Sequence, residues 1–176
     1  MLADIVTSLA LGGFARVLLL TGHGGNIAPA QAAMQEVMVE ISLGRLSPPD
    51  PLTIKLRAWW EGPSVSALRR ELYGDREGFH ATPSEVALTM ALHPALAAPP
   101  GAWPAWRPLP ADPLHDPGGD RHLDAALHRA MFPDGLIGSD PSLARPEHGD
   151  ALLEAATADV AEAFTAFEAA RDHPAR

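Results

Sequence analysis

The stretch that most constrains this chain is ARVLLLTGHGGN, where a short unbroken apolar run empties into a turn holding one histidine among three glycines. ARVLLLTG, residues 15–22, shows no polar alternation, so it reads as a strand buried on both faces. Leu2, Ile5, Val6, Leu9 and Ala10 precede it at helical spacing, and Gly12-Gly13 stops that helix. Beyond the turn, Asn26 reads as an N-cap and IAPAQAAMQEVMVEISLG as a helix ending at Gly44, with Pro29 tolerated in its first turn. Helix, buried strand, Gly-rich turn, helix is the unit of a parallel sheet covered by helices, so the fold class is α/β.

The rest of the chain keeps that style. DPLTIKLRAWW gives a second strand ending at Trp59-Trp60, whose side chains would face opposite sides; one would line a pocket unless both pack in the core. SVSALRRELYG is a short helix closed by Gly74, TPSEVALTMALHP another, and RHLDAALHRAMF a third. A Pro-rich crossing from Ala97 to Gly119 holds Trp103 and Trp106 as anchors. A long last helix runs from Pro146 to about Ala170, with Leu153, Ala156, Val160, Phe164 and Phe167 on its apolar stripe. At 176 residues the chain suits one domain, 1–176.

Composition narrows the chemistry. With 47% hydrophobic and 20% charged residues, the chain is ordinary globular material. A net charge of -9 argues against a nucleic-acid partner, because a phosphate backbone attracts cations. No cysteine is present, so disulfides, thiolate metal sites and cysteine nucleophiles are absent together. No apolar run spans a bilayer and the start does not resemble a signal peptide, so the expected address is cytoplasmic, without a membrane partner.

Three residues then stand out. Ligands of open parallel sheets bind beyond the carboxyl ends of the strands, and His23 falls there. Gly22, Gly24 and Gly25 would let the backbone turn sharply and leave space around the ring. A tight turn with a locally bonded histidine is the structural rival, and a phosphate cradle a weaker one, since the spacing is neither G-x-G-x-x-G nor a P-loop. In TPSE, Thr82 at N-cap, Pro83 at N1 and Glu85 at N3 make a capping box, which by itself favours a structural glutamate. His80 stands two residues before that cap, after the charged loop of Asp75, Arg76 and Glu77, which is either solvated or orients His80. If the strand ends adjoin, His23, His80 and Glu85 converge as an oxygen- and nitrogen-donor set suited to Zn, Mn or Fe, one or two ligands short of a catalytic site. His93, His115, His122, His128 and His173 read as surface or packing residues.

GFARVLLLTGHGGNIAPAQAA, GFHATPSEVALT and GLIGSDPSLARPEHG, in this order, together resemble the creatininase (creatinine amidohydrolase) family. The resemblance implies a three-layer α/β/α sandwich with a mostly parallel sheet, assembled as homo-oligomers, commonly hexamers. It implies a metal-dependent amidohydrolase acting on an amide C–N bond, often cyclic, of a small molecule. On that pattern His23 is a metal ligand, Glu85 a ligand or general base, and His80 a catalytic group that holds substrate or protonates the leaving nitrogen. Asn26 and Trp60 become substrate-binding residues. HATPSE stands where some members read HAGE, and Thr21 replaces the usual Asn before Gly-His.

The largest departure is at the front. The family's other ligands come from an E-x-H-G-x-H-L-P…D segment upstream of the first helix here, and no such segment is in this sequence. The expectation is the C-terminal portion of a creatininase-like fold, with an exposed sheet edge and an uncovered apolar face. Two functions follow: the amidohydrolase, or an inactive remnant or interaction subunit with an incomplete metal site.

Overall fold

The computed structural model describes residues 1–99, 101–109 and 124–170. His115, His122 and His173, and parts of the Pro-rich crossing and of the RHLDAALHRAMF helix, lie outside the described residues. Six helices and two strands are described: α1 Leu2–Leu11, β1 Arg16–Thr21, α2 Ile27–Ser42, β2 Thr53–Ala58, α3 Pro63–Tyr73, α4 Pro83–Leu92, α5 Ala125–Met131 and α6 Pro146–Ala169. They fall into two compact units, Met1–Gly62 with the chain from Thr157 on, and Pro63–Ala156. Among the described residues no helix is long and apolar enough to cross a membrane.

In the first unit β1 and β2 pair in parallel, with Val17 opposite Ile54 and Thr21 opposite Ala58. One face of the pair packs on α1 and α2. Val6, Ala10, Val17, Val37 and Leu52 are buried there, with Leu9, Leu19, Ile41 and Ile54 packed around them. Each valine or leucine among them contributes about 1.5–3 kcal/mol when fully buried. Side chains alternate along a strand, so Lys55 points the other way, where its ammonium lies 4.8 Å from the Phe167 ring of α6. Double-sided burial of β1 is not observed: Leu20 is 55% exposed. It stands on the face away from α1 and α2.

The second unit is helical, tied by turns. Gly149 of α6 meets α4 so closely that a Cβ there would sit 2.1 Å from the Ala87 carbonyl oxygen. The buried stripe of α6 also departs from expectation. Leu152, Ala156, Asp159 and Phe167 are buried, whereas Leu153 and Phe164 are 39% and 50% exposed. Asp159 fits because it lies against Gly62, where even a Cβ would overlap the carboxylate. A polar residue on the stripe shifts the apparent register by one position when only apolar residues are counted.

Candidate functional site

The carboxyl ends of β1 and β2 make the first candidate site. Thr21, buried at the end of β1, knits the turn that follows. Its hydroxyl donates to the His23 carbonyl at 2.9 Å and accepts from the His23 amide at 3.2 Å and from Asn26 Nδ2 at 3.3 Å. The substitution of Thr for the usual Asn thus keeps a side chain that both donates and accepts. The turn itself is a short 3-10 segment, Gly24–Asn26, capped by the His23 ring: Nδ1 accepts the Gly25 amide at 3.1 Å. Asn26 does not cap α2 with its side chain, because that amide is turned back to Thr21.

Of the three glycines, Gly25 leaves space around the ring as expected. None of Gly22, Gly24 and Gly25 has a positive φ, so no residue here needs the left-handed region. Gly25 alone meets a neighbour: a Cβ would lie 3.0 Å from Nδ1 and Cε1 of His23. Its lack of a side chain lets the ring fold over the amide. Because Nδ1 accepts a bond, the neutral ring carries its proton on Nε2. The His23 ring is exposed at the mouth.

Trp59 and Trp60 do not end the strand; they form the turn after β2. Their rings meet edge to face, 5.9 Å apart at 84°, and both are half-buried. The Trp59 amide donates to the Thr21 carbonyl at 3.3 Å, which sets this turn beside the GHGGN turn. Glu61 closes it by accepting the Ala58 amide at 3.0 Å. Glu61 is therefore a carboxylate at the same mouth that sequence reasoning passed over. Its signal was its position three residues beyond the strand end.

The second candidate site is the start of α4. The capping box forms as its sequence demands: Glu85 N–H donates to Thr82 Oγ1 at 3.2 Å, and Glu85 Oε2 accepts from the Thr82 amide and hydroxyl at 3.3 and 3.0 Å. Those two bonds use one carboxylate oxygen. His80 lies just outside, exposed, with Nδ1 2.9 Å from the Gly135 carbonyl. Ala81 between them has φ +52°, the only non-glycine residue with a positive φ among those described.

In the charged loop before His80, Asp75 is exposed to solvent, while Arg76 and Glu77 bond to groups other than that ring. Arg69 holds Glu77 through Nε and Nη2 at 3.1 and 2.8 Å, and buried Ser84 donates to the same Glu77 oxygen. Arg76 pairs with buried Asp140 at 3.1 Å and stacks 5.0 Å from the Trp106 ring centre, while Trp106 Nε1 donates to the Gly138 carbonyl at 3.0 Å. Burial beside the negative Glu77, partly offset by Arg145, pushes the Tyr73 phenol well above the ordinary tyrosine range. His93 caps the end of α4, and the His128 ring lies 5.3 Å from that of Phe132.

A metal centre needs donors brought together. A catalytic ion takes about three protein ligands. Among the described residues no three His, Asp or Glu side chains form a group able to hold one. The Nδ1 of His23 already accepts an amide, and Glu85 is engaged by its own cap. The described residues by themselves therefore do not make the expected metal site.

A family match places these motifs in context: Creatininase, described as creatinine amidohydrolase, matches residues 1–164. The chain belongs to the creatininase family. A search of curated proteins found no match. Among solved structures, a creatinine amidohydrolase (creatininase) is similar with a TM-score of 0.68 and 22% identity, over 96% of this chain and 62% of that one. A variant creatininase complexed with creatine gives 0.62 and 22%, over 92% and 61%. A variant creatininase of Zn-Zn type gives 0.64 and 22%, over 94% and 62%. These likenesses establish the fold, and the chain spans about 62% of the length of such creatininase chains.

Proposed function

We propose that this creatininase-family chain serves hydrolysis of an amide C–N bond in a small substrate, cyclic or open, of the creatinine type. The observation that carries the reading is the family match over residues 1–164, which runs through both mouths described above. On this reading the chain is one creatininase-like domain whose β1–β2 pair belongs to a mostly parallel sheet in a three-layer α/β/α sandwich, and it works as a homo-oligomer in the cytoplasm. Helices against one face of β1–β2 and Phe167 against the other support that architecture.

His80 is assigned the proton delivered to the departing nitrogen, and Glu85 Oε1 is the carboxylate oxygen left for a base or ligand role. Asn26 and Trp60 border the mouth at which a small amide would sit. A divalent zinc, manganese or iron ion belongs to the proposal through His23, whose ring gives up its bond with the Gly25 amide to offer a lone pair, and it requires further donors from outside the described residues. Support for a metal comes from the Zn-Zn type relative.

The test uses the whole chain with zinc, manganese or iron supplied, creatinine and other cyclic amides as substrates, and calorimetry for metal uptake. Metal-dependent turnover that His23→Ala and His80→Gln each abolish is the expected result. A folded chain that binds no metal and turns over none of these amides overturns the reading and leaves a fold kept without its activity.

A further inference from the structure

The motif GLIGSDPSLARPEHG carries no role in the proposal so far, yet its first residues bond to His80 at several points. The Phe79 amide donates to the Ile137 carbonyl at 2.9 Å, and His80 forms an isolated antiparallel bridge with Ile137. The buried Ser139 hydroxyl donates to the His80 carbonyl. The His80 ring meets the Gly135 carbonyl at 2.9 Å. Main chain, carbonyl and ring of one exposed histidine are thus all held by one turn.

The turn is built to come this close. Gly135 and Gly138 have φ of +75° and +69°, which side chains rarely adopt. Gly78 has φ +63°, and a Cβ there would lie 2.3 Å from the Ser139 amide nitrogen. Phe132, Leu136 and Ile137 bury their side chains beneath, and Asp134 Oδ1 accepts the Leu136 amide at 3.2 Å. Ala81, held at φ +52° in the left-handed region, joins this tether to the capping box.

A carbonyl oxygen only accepts, so the His80 Nδ1 that meets it must carry a hydrogen. In the neutral ring the lone pair then lies on Nε2, which faces away from the tether. We infer that the Gly135 carbonyl and Ser139 are positioning groups for His80: they fix the Nδ1–H tautomer and leave Nε2 as the nitrogen that exchanges a proton. A histidine held only by packing has no need of this wiring, because an exposed ring gains little from being aimed. The inference rests on the proposed role of His80 in amide hydrolysis, but its tautomer is a property of the chain with or without turnover.

The experiment is nitrogen–proton correlation NMR on the full chain labelled with 15N-histidine, with the His80 signals assigned by their loss in His80→Gln. Neutral His80 protonated on Nδ1 is the expected result; protonation on Nε2 overturns the inference even if the amide is hydrolysed. Ser139→Ala, and the milder Asp134→Ala that loosens the same turn, are each expected to mix the two tautomers. They should lower kcat about tenfold or more at little change in KM, with a moved pH profile, and Ser139→Thr should restore both. Unchanged tautomer and pH profile in both loosened variants also overturn it. Absent turnover with the Nδ1–H tautomer in place counts against the proposed function and not against the tether.

Discussion

The Tyr73 hydroxyl lies 3.2 Å from Nδ1 of His148, and the two rings meet at 62° with centres 5.6 Å apart. Tyr73 is buried, and both burial and the negative Glu77 raise its pKa. The folded chain therefore holds the phenol proton more tightly than the unfolded chain does. The stability this contributes is complete below the ordinary tyrosine pKa of about 10 and declines as pH rises above it toward the raised folded value. Tyr73 is the only tyrosine, so tyrosinate absorbance reports it alone. Ionisation should coincide with alkaline unfolding, and Tyr73→Phe should cost about 1 kcal/mol at neutral pH while flattening the alkaline decline.

Gly149→Ala should lower stability by about 1–3 kcal/mol, because the new methyl would overlap the Ala87 carbonyl and push α6 from α4. Urea midpoints of the two chains measure it; an unchanged midpoint would show that the helices separate without cost.

Thr82→Ala removes the oxygen that accepts the Glu85 amide and should cost about 0.5–2 kcal/mol. Glu85→Gln keeps an oxygen for the Thr82 amide and hydroxyl, so stability should stay within about 0.5 kcal/mol. If the carboxylate also serves chemistry, that same variant loses turnover. Thermal melts and an amide-hydrolysis assay on the pair separate the capping role from the chemical one.

Gly24 and Gly25 should respond differently to alanine. Gly24 has open space around it, and Gly24→Ala should stay within about 0.5 kcal/mol of the parent. Gly25→Ala crowds the His23 ring and should displace it from the amide that it caps. Histidine ring chemical shifts follow the displacement directly.

Local chemistry was the legible part of this sequence. The Thr82–Glu85 box, the helix stop at Gly12-Gly13 and the closure of α3 at Gly74 each depend on a few neighbouring residues, and each forms as read. What depended on distant partners was harder to see. Leu20 looks like every other leucine in LLL, and nothing local marks it as the one that stands 55% exposed. Asp159 on the buried stripe of α6 makes sense only beside Gly62. Asn26 is a good cap by composition, but Thr21, five residues earlier, attracts its side chain instead. The places of Glu61 and of the Gly135–Ser139 turn, though not their residues, were hidden for the same reason: one is defined by a strand end, the other by a histidine more than fifty residues away.

The two histidines have opposite wiring, and in both the wire is main chain. His23 receives a hydrogen from the Gly25 amide, and His80 gives one to the Gly135 carbonyl. Neither ring nitrogen has a side chain as its direct partner. A substitution reaches either proton only by moving the main chain or crowding the ring, as at Gly25, Asp134 or Ser139. In a comparison of descendants, then, the protonation pattern would be inherited through glycines, and a search for invariant acids and bases around these rings would look in the wrong place.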